Sequence, residues 1–148
     1  MLKKYAVTAV MVIFGWALLF AADMPSLTIE SPQNDATVQQ TPGLGPVAII
    51  KFKTDDFKIE QLSKEKKMDH MKMNGMAKMG HIHVTLDNAS WYWVHDDNSP
   101  VVIAGLTPGQ HTVKLELVTS GHMPLNPPVS QTVSFTMAGS SGMGSGGQ

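Results

Sequence analysis

The 148 residues contain no cysteine and no arginine. Without Cys there is no disulfide framework, thiolate zinc site, iron–sulfur cluster or thiol nucleophile. The blue-copper type of centre, built on a Cys thiolate, is excluded as well. Without Arg the bidentate grip on phosphate or guanine is lost. The formal net charge of −1, from 11 lysines against 12 acids, supplies no basic field, so nucleic acid is not the expected partner. Catalytic signatures are also missing. There is no Gly-x-Ser-x-Gly elbow and no phosphate-cradling glycine loop, and no general base stands out. A binding protein rather than an enzyme is expected. What the chain has instead is 11 Met and 6 His, with five of the Met and three of the His crowded into one stretch, 68–83.

The first residues read as an address. Lys3 and Lys4 precede an uncharged apolar run, Tyr5–Phe20, then the small residues Ala21 and Ala22, then Asp23 and Pro25. A basic start, an apolar middle and small residues at the cut make a secretory signal peptide, here 1–22. The run is short for a membrane span, which takes about 20 apolar residues. Membrane contact is therefore expected only if the segment stays uncleaved. Removal of Lys3 and Lys4 leaves 9 lysines against 12 acids, a net charge of −3. The expected location is the periplasm or the exterior.

The rest alternates with a period of two. Ser26–Glu30, Val47–Phe52, Phe57–Leu62, His81–Leu86, Trp91–His95, Val101–Ala104, His111–Val118 and Val129–Met137 read as strands. Asp87-Asn88, Asp96–Pro100, Pro108-Gly109 and Pro124–Pro128 punctuate them. This pattern predicts an all-β fold. The expected form is an immunoglobulin-like antiparallel β-sandwich of about seven to eight strands. It would span residues 23–137, with a Met/His-rich loop insert over 63–80. Residues 138–148 (AGSSGMGSGGQ) have too little apolar content to fold and are expected to be a disordered tail.

The insert carries the chemistry. Met68, Met71, Met73, Met76 and Met79 share one window (MDHMKMNGMAKM) with His70, and His81 and His83 follow at once. Thioether sulfur is a soft ligand suited to Cu(I) and Ag(I), and imidazole serves both Cu(I) and Cu(II). The competing reading of the window is a Met face of an amphipathic helix. Asn74-Gly75 in its middle and Gly80 at its end argue against that. His81 and His83 are two residues apart on a strand, so both side chains point to one face. Ile82 and Val84 take the core side, which leaves the imidazoles outward. His122-Met123, in a turn, offers a further nitrogen–sulfur pair. His95 ends a strand bearing Trp91 and Trp93 on its own face. His111 opens the strand of Val113, Leu115 and Leu117, at a place like the tyrosine corner of immunoglobulin-like sandwiches, where a side chain ties back to the backbone.

The segments Gly80–Asp87 (GHIHVTLD), Leu106–Leu117 (LTPGQHTVKLEL), His122 and Pro127–Ser130 (PPVS) resemble a group of functionally uncharacterised small exported bacterial domains. Their shared pattern is Gly-His-x-His before a strand, Pro-Gly-x-His-Thr opening a later one, and a further His beyond it. Here these are His81, His83, His111 and His122, and the likeness spans residues 80–136. It implies a β-sandwich with a histidine cluster and names no activity. The Met window is similar, in composition only, to the Met/His-rich segments of periplasmic copper- and silver-handling proteins.

The expectation is therefore a periplasmic metal-binding protein, binding or delivering copper as Cu(I) or Cu(II). The candidate ligands are His70, Met71, Met73, Met76, Met79, His81, His83, His95, His122 and Met123. Its partners would be the metal ion and another periplasmic metal-handling protein. Two other readings stay open: an envelope interaction or adhesion module with no metal, and a metal-dependent enzyme of unknown reaction.

Overall fold

The computed structural model describes residues 24–62 and 78–139. The signal segment, most of the Met window (63–77) and residues 140–148 of the tail lie outside them. Among the described residues every regular element is a strand, and no helix is long and apolar enough to cross a membrane. The strands are β1 (Ser26–Ser31), β2 (Ala36–Val38), β3 (Val47–Asp55), β4 (Lys58–Ile59), β5 (Met79–Leu86), β6 (Trp93–His95), β7 (Val101–Ala104), β8 (Gly109–Thr119) and β9 (Ser130–Met137).

They form two sheets. One has the order β1-β3-β7; the other runs β2-β9-β8-β5-β4, with β6 also pairing to β5. The first part of the chain is thus split between the sheets, β1 on one and β2 on the other, as in immunoglobulin-like sandwiches. Pairing is antiparallel except for β2 with β9 and β4 with β5, which are parallel.

The core follows from the alternation. Val113, Leu115 and Leu117 of β8 meet Ile82 and Val84 of β5, Phe135 of β9, and Ala48 and Ile50 of β3, all fully buried. Each large side chain among them contributes about 1.5–3 kcal/mol by leaving water. β8 and β5 carry this core from the middle of the larger sheet, paired over seven positions from Gly80–Thr119 to Leu86–Val113.

The sequence pattern is corrected in three places. Ala36–Val38, within a turn-rich stretch, is a strand. The strand expected over Phe57–Leu62 shrinks to Lys58–Ile59 because its partner offers only Met79 and Gly80. The insert expected over 63–80 ends earlier, since Met79 and Gly80 already belong to β5.

Candidate functional site

β5 is buried on both faces. Ile82 and Val84 enter the core, so His81 and His83 lie on the opposite side, as the two-residue period requires. They are not outward in the sense of exposed: His81 is 0% and His83 7% accessible. Something therefore covers this side of the sheet.

The cover comes first from the end of β8. Thr119–Met123 folds into a hairpin, with Thr119 N–H donating to the Met123 carbonyl and His122 N–H to the Thr119 carbonyl, both at 2.8 Å. The three loop residues Ser120, Gly121 and His122 end with His122 at φ 60°. That left-handed position normally takes Gly or Asn. The hairpin lays the His122 ring over β5, 5.0 Å from His81 and 5.4 Å from His83 between ring centres. The second part of the cover is Tyr92, which stacks flat on His83 at 3.7 Å and 17°.

Two further residues hold the cluster. The Glu60 carbonyl, beside β4, accepts a bond from His81 Nδ1 at 2.9 Å, and the Glu60 carboxylate accepts one from Ser120 Oγ at 2.9 Å. One residue thus ties both β5 and the hairpin. Because a carbonyl only accepts, His81 carries its proton on Nδ1. Glu116, the cross-strand partner of His83, is bonded to Lys114 at 3.0 Å. Burial lowers the His83 pKa below the ordinary imidazole value, and His122 and His81 add to this. The opposing pull of Glu116 is weaker.

The central contact is His83 Nε2 to His122 Nδ1, at 3.1 Å. Each ring nitrogen lies about 1.2 Å from its ring centre, so this distance and the 5.4 Å centroid separation put both centres and both nitrogens nearly on one line. The rings are also within 16° of parallel. They share a plane, end to end, with their lone-pair directions aimed at each other. One ring donates and the other accepts.

The other sequence candidates fall elsewhere. His95 pairs with Ile82 across β5–β6 and so lies on the core side, opposite His81 and His83. Its Nε2 bonds the Ser99 carbonyl at 2.8 Å and its ring meets Phe52 edge-on. Met123 is 65% exposed. Met79 opens β5, half-buried, two residues before His81. His70, Met71, Met73 and Met76 lie outside the described residues, as does Met68. Among the described residues no three His, Asp or Glu side chains form a metal cage.

His111 makes the corner bond expected of it, with Nε2 to the Thr107 carbonyl four residues upstream at 2.7 Å. Sequence reasoning missed Tyr92, Glu60, Ser120 and Glu116. Part of the Tyr92 signal was present: alternation sets it on the face opposite Trp91 and Trp93, and the register of β6 on β5 makes that the His83 side. A backbone carbonyl such as that of Glu60 leaves no mark in a sequence.

Fold and site together define a two-sheet sandwich with a covered imidazole cluster on the outer face of its larger sheet. The chain belongs to a family of unknown function (DUF6130), whose model matches residues 21–145 and so includes all of the cluster. Neither a curated protein nor a solved structure matches the chain.

Proposed function

We propose that this is an exported copper-binding protein that holds or delivers the metal and does not catalyse a reaction. The observation that carries the reading is the pair of imidazole nitrogens on His83 and His122, 3.1 Å apart, with the rings of His81 and Tyr92 against them. A buried imidazole facing a half-buried one is poorly explained by packing alone, since apolar residues would fill the space without desolvating ring nitrogens. The bond from His81 Nδ1 to the Glu60 carbonyl is the kind of outer-shell contact that fixes the tautomer and orientation of a ligand imidazole.

Position supports the sulfur half of the reading. Most of the Met window falls between Leu62 and Lys78 in the sequence. Its two ends meet at this cluster, because Glu60 N–H bonds the Gly80 carbonyl at 2.8 Å and the Glu60 carbonyl bonds His81. In the sequence Met79, Met76, Met73 and Met71 precede His81 by 2, 5, 8 and 10 residues. The order Lys3-Lys4, apolar run, Ala21-Ala22 supports export.

Titration with Cu(I) and Cu(II) tests the reading, alongside a His81→Ala/His83→Ala variant and one with all five window methionines changed to Leu. Each variant is expected to weaken one oxidation state more than the other. Unchanged affinity in both would end the proposal. A metal-free adhesion module is favoured by exposed apolar side chains such as Leu44, Trp91, Val102 and Met123; its partner binding would survive Met→Leu, whereas sulfur ligation would not.

A further inference from the structure

We propose that His83 and His122 form a linear two-nitrogen clamp for a closed-shell monovalent cation, Cu(I) or Ag(I), in which the ion takes the place of the proton between the rings. This rests on the copper reading above and adds the oxidation state, the ligand atoms and the coordination geometry.

The argument is directional. A divalent ion chelated by two nitrogens needs both lone pairs bent toward a common point off the line between them, with further ligands around it. Here the lone pairs of Nε2 of His83 and Nδ1 of His122 point along that line at each other. Monovalent copper and silver, with filled d shells, are satisfied by two donors in line. With metal–nitrogen bonds of about 2 Å, the nitrogens must separate from 3.1 Å to about 4 Å. That opening of under about 1 Å can be taken up by the three-residue hairpin loop that carries His122, while β5 stays in place.

Each donor ring is held for this. Tyr92 stacks on His83 at 3.7 Å, and His81 flanks His122 at 5.0 Å. The hairpin tip is bonded to Glu60 through Ser120. His122 sits in a left-handed position, φ 60°, that costs a non-glycine residue about 1 kcal/mol or more. A turn selected only for stability would carry Gly or Asn there; the imidazole is retained at a cost. No redox step is involved. The contact proton leaves the line and the donor ring is reprotonated on its outer nitrogen, so a neutral pair releases no net proton.

X-ray absorption on the full chain, with one equivalent of Cu(I) supplied from a chelator buffer, tests the clamp. The background is the variant with Met68, Met71, Met73, Met76 and Met79 changed to Leu. The expected result is the intense 1s→4p edge feature of two-coordinate Cu(I), with two nitrogen scatterers and no sulfur. In the same background His122→Asn, which suits the turn, is expected to weaken Cu(I) by at least about 100-fold with the near-ultraviolet circular dichroism intact. A three- or four-coordinate spectrum overturns the clamp, as does His122→Asn with unchanged affinity. If the unsubstituted protein then still binds Cu(I) through sulfur, the copper reading stands without the clamp; if it binds neither Cu(I) nor Cu(II), both fall.

Discussion

His111 and Asp87 are joined by a bond from Nδ1 to Oδ2 at 2.8 Å, while the other ring nitrogen of His111 bonds the Thr107 carbonyl at 2.7 Å. A carboxylate and a carbonyl both only accept, so both nitrogens donate and the ring is an imidazolium. Burial opposes that charge, but the bonds to Thr107 and Asp87 together outweigh it and raise the His111 pKa above the ordinary value. Asp87 also accepts from Thr112 N–H at 2.8 Å. The β5–β6 turn is thereby pinned to the start of β8.

The sign of the pH dependence follows. Folded His111 keeps its proton to higher pH than the unfolded imidazole, whose pKa is about 6.5. Its contribution is complete below that pH and fades as pH rises through the folded value. Asp87→Asn removes the charge but keeps an oxygen for Thr112. Because Asp87 is half-exposed, the expected loss is modest, about 0.5–1 kcal/mol. Urea midpoints of wild type and variant should differ at pH 6 and converge toward pH 9. An equal gap at both would refute an ionic role.

Gly80 pairs with Thr119 at the end of the β5–β8 ladder. A Cβ at this position would stand 2.0 Å from the Val118 carbonyl oxygen and 2.6 and 2.8 Å from the Thr119 backbone. Those are main-chain atoms inside a ladder and cannot turn aside. Gly80→Ala is expected to cost more than about 3 kcal/mol and to displace His81 from the Glu60 carbonyl. Thermal melting reads the first effect, and the His81 ring resonances in NMR read the second. An alanine variant that melts with wild type would show that the strands can part there freely.

The frame was legible because the core strands obey their period: Val113, Leu115 and Leu117 read as one inward face and are one. The sequence also placed His81 and His83 opposite Ile82 and Val84. It could not show that this outer face is covered, because the cover is a hairpin 39 residues away in sequence from His83 and a tyrosine masked by its tryptophan neighbours. Ala36–Val38 was illegible because three residues, paired to one strand, β9, are too few to establish a period. His95 looked equivalent to His83 because residue type was visible and register was not; the Ile82–His95 pairing puts it on the other side.

His122 separates stability from binding. Its φ of 60° suits Asn or Gly, so His122→Asn or His122→Gly should leave the melting temperature unchanged or raise it, by up to about 1 kcal/mol in unfolding free energy. The lost rings lie against His81 and His83, so some packing is forfeited and offsets part of that gain. Copper affinity should fall in both variants. Calorimetric melting with and without Cu(I) measures both quantities on one sample. A large destabilisation of the metal-free protein would mean that the imidazole is there for the fold.

His83 titrates in the opposite sense to His111. Burial, then His122 and His81, lower its pKa, so below about pH 6.5 the unfolded imidazole takes up a proton before the folded one does. Its contribution is present above that pH and is lost as pH falls through the folded value. Protons should accordingly compete with metal at His83 only at lower pH than at a free imidazole. Tyr92 is the ring lying flat on it, so Tyr92→Phe, which keeps the stack, should leave the His83 titration where it is. Tyr92→Ala should open the ring to water and move its midpoint up toward 6.5, with the acid limit of the metal-bound state moving up in step. Two-dimensional NMR of the imidazole protons across pH 4–8 follows the first, and Cu(I) retention over the same range the second. A midpoint that ignores Tyr92→Ala would assign the depression to the neighbouring imidazoles alone.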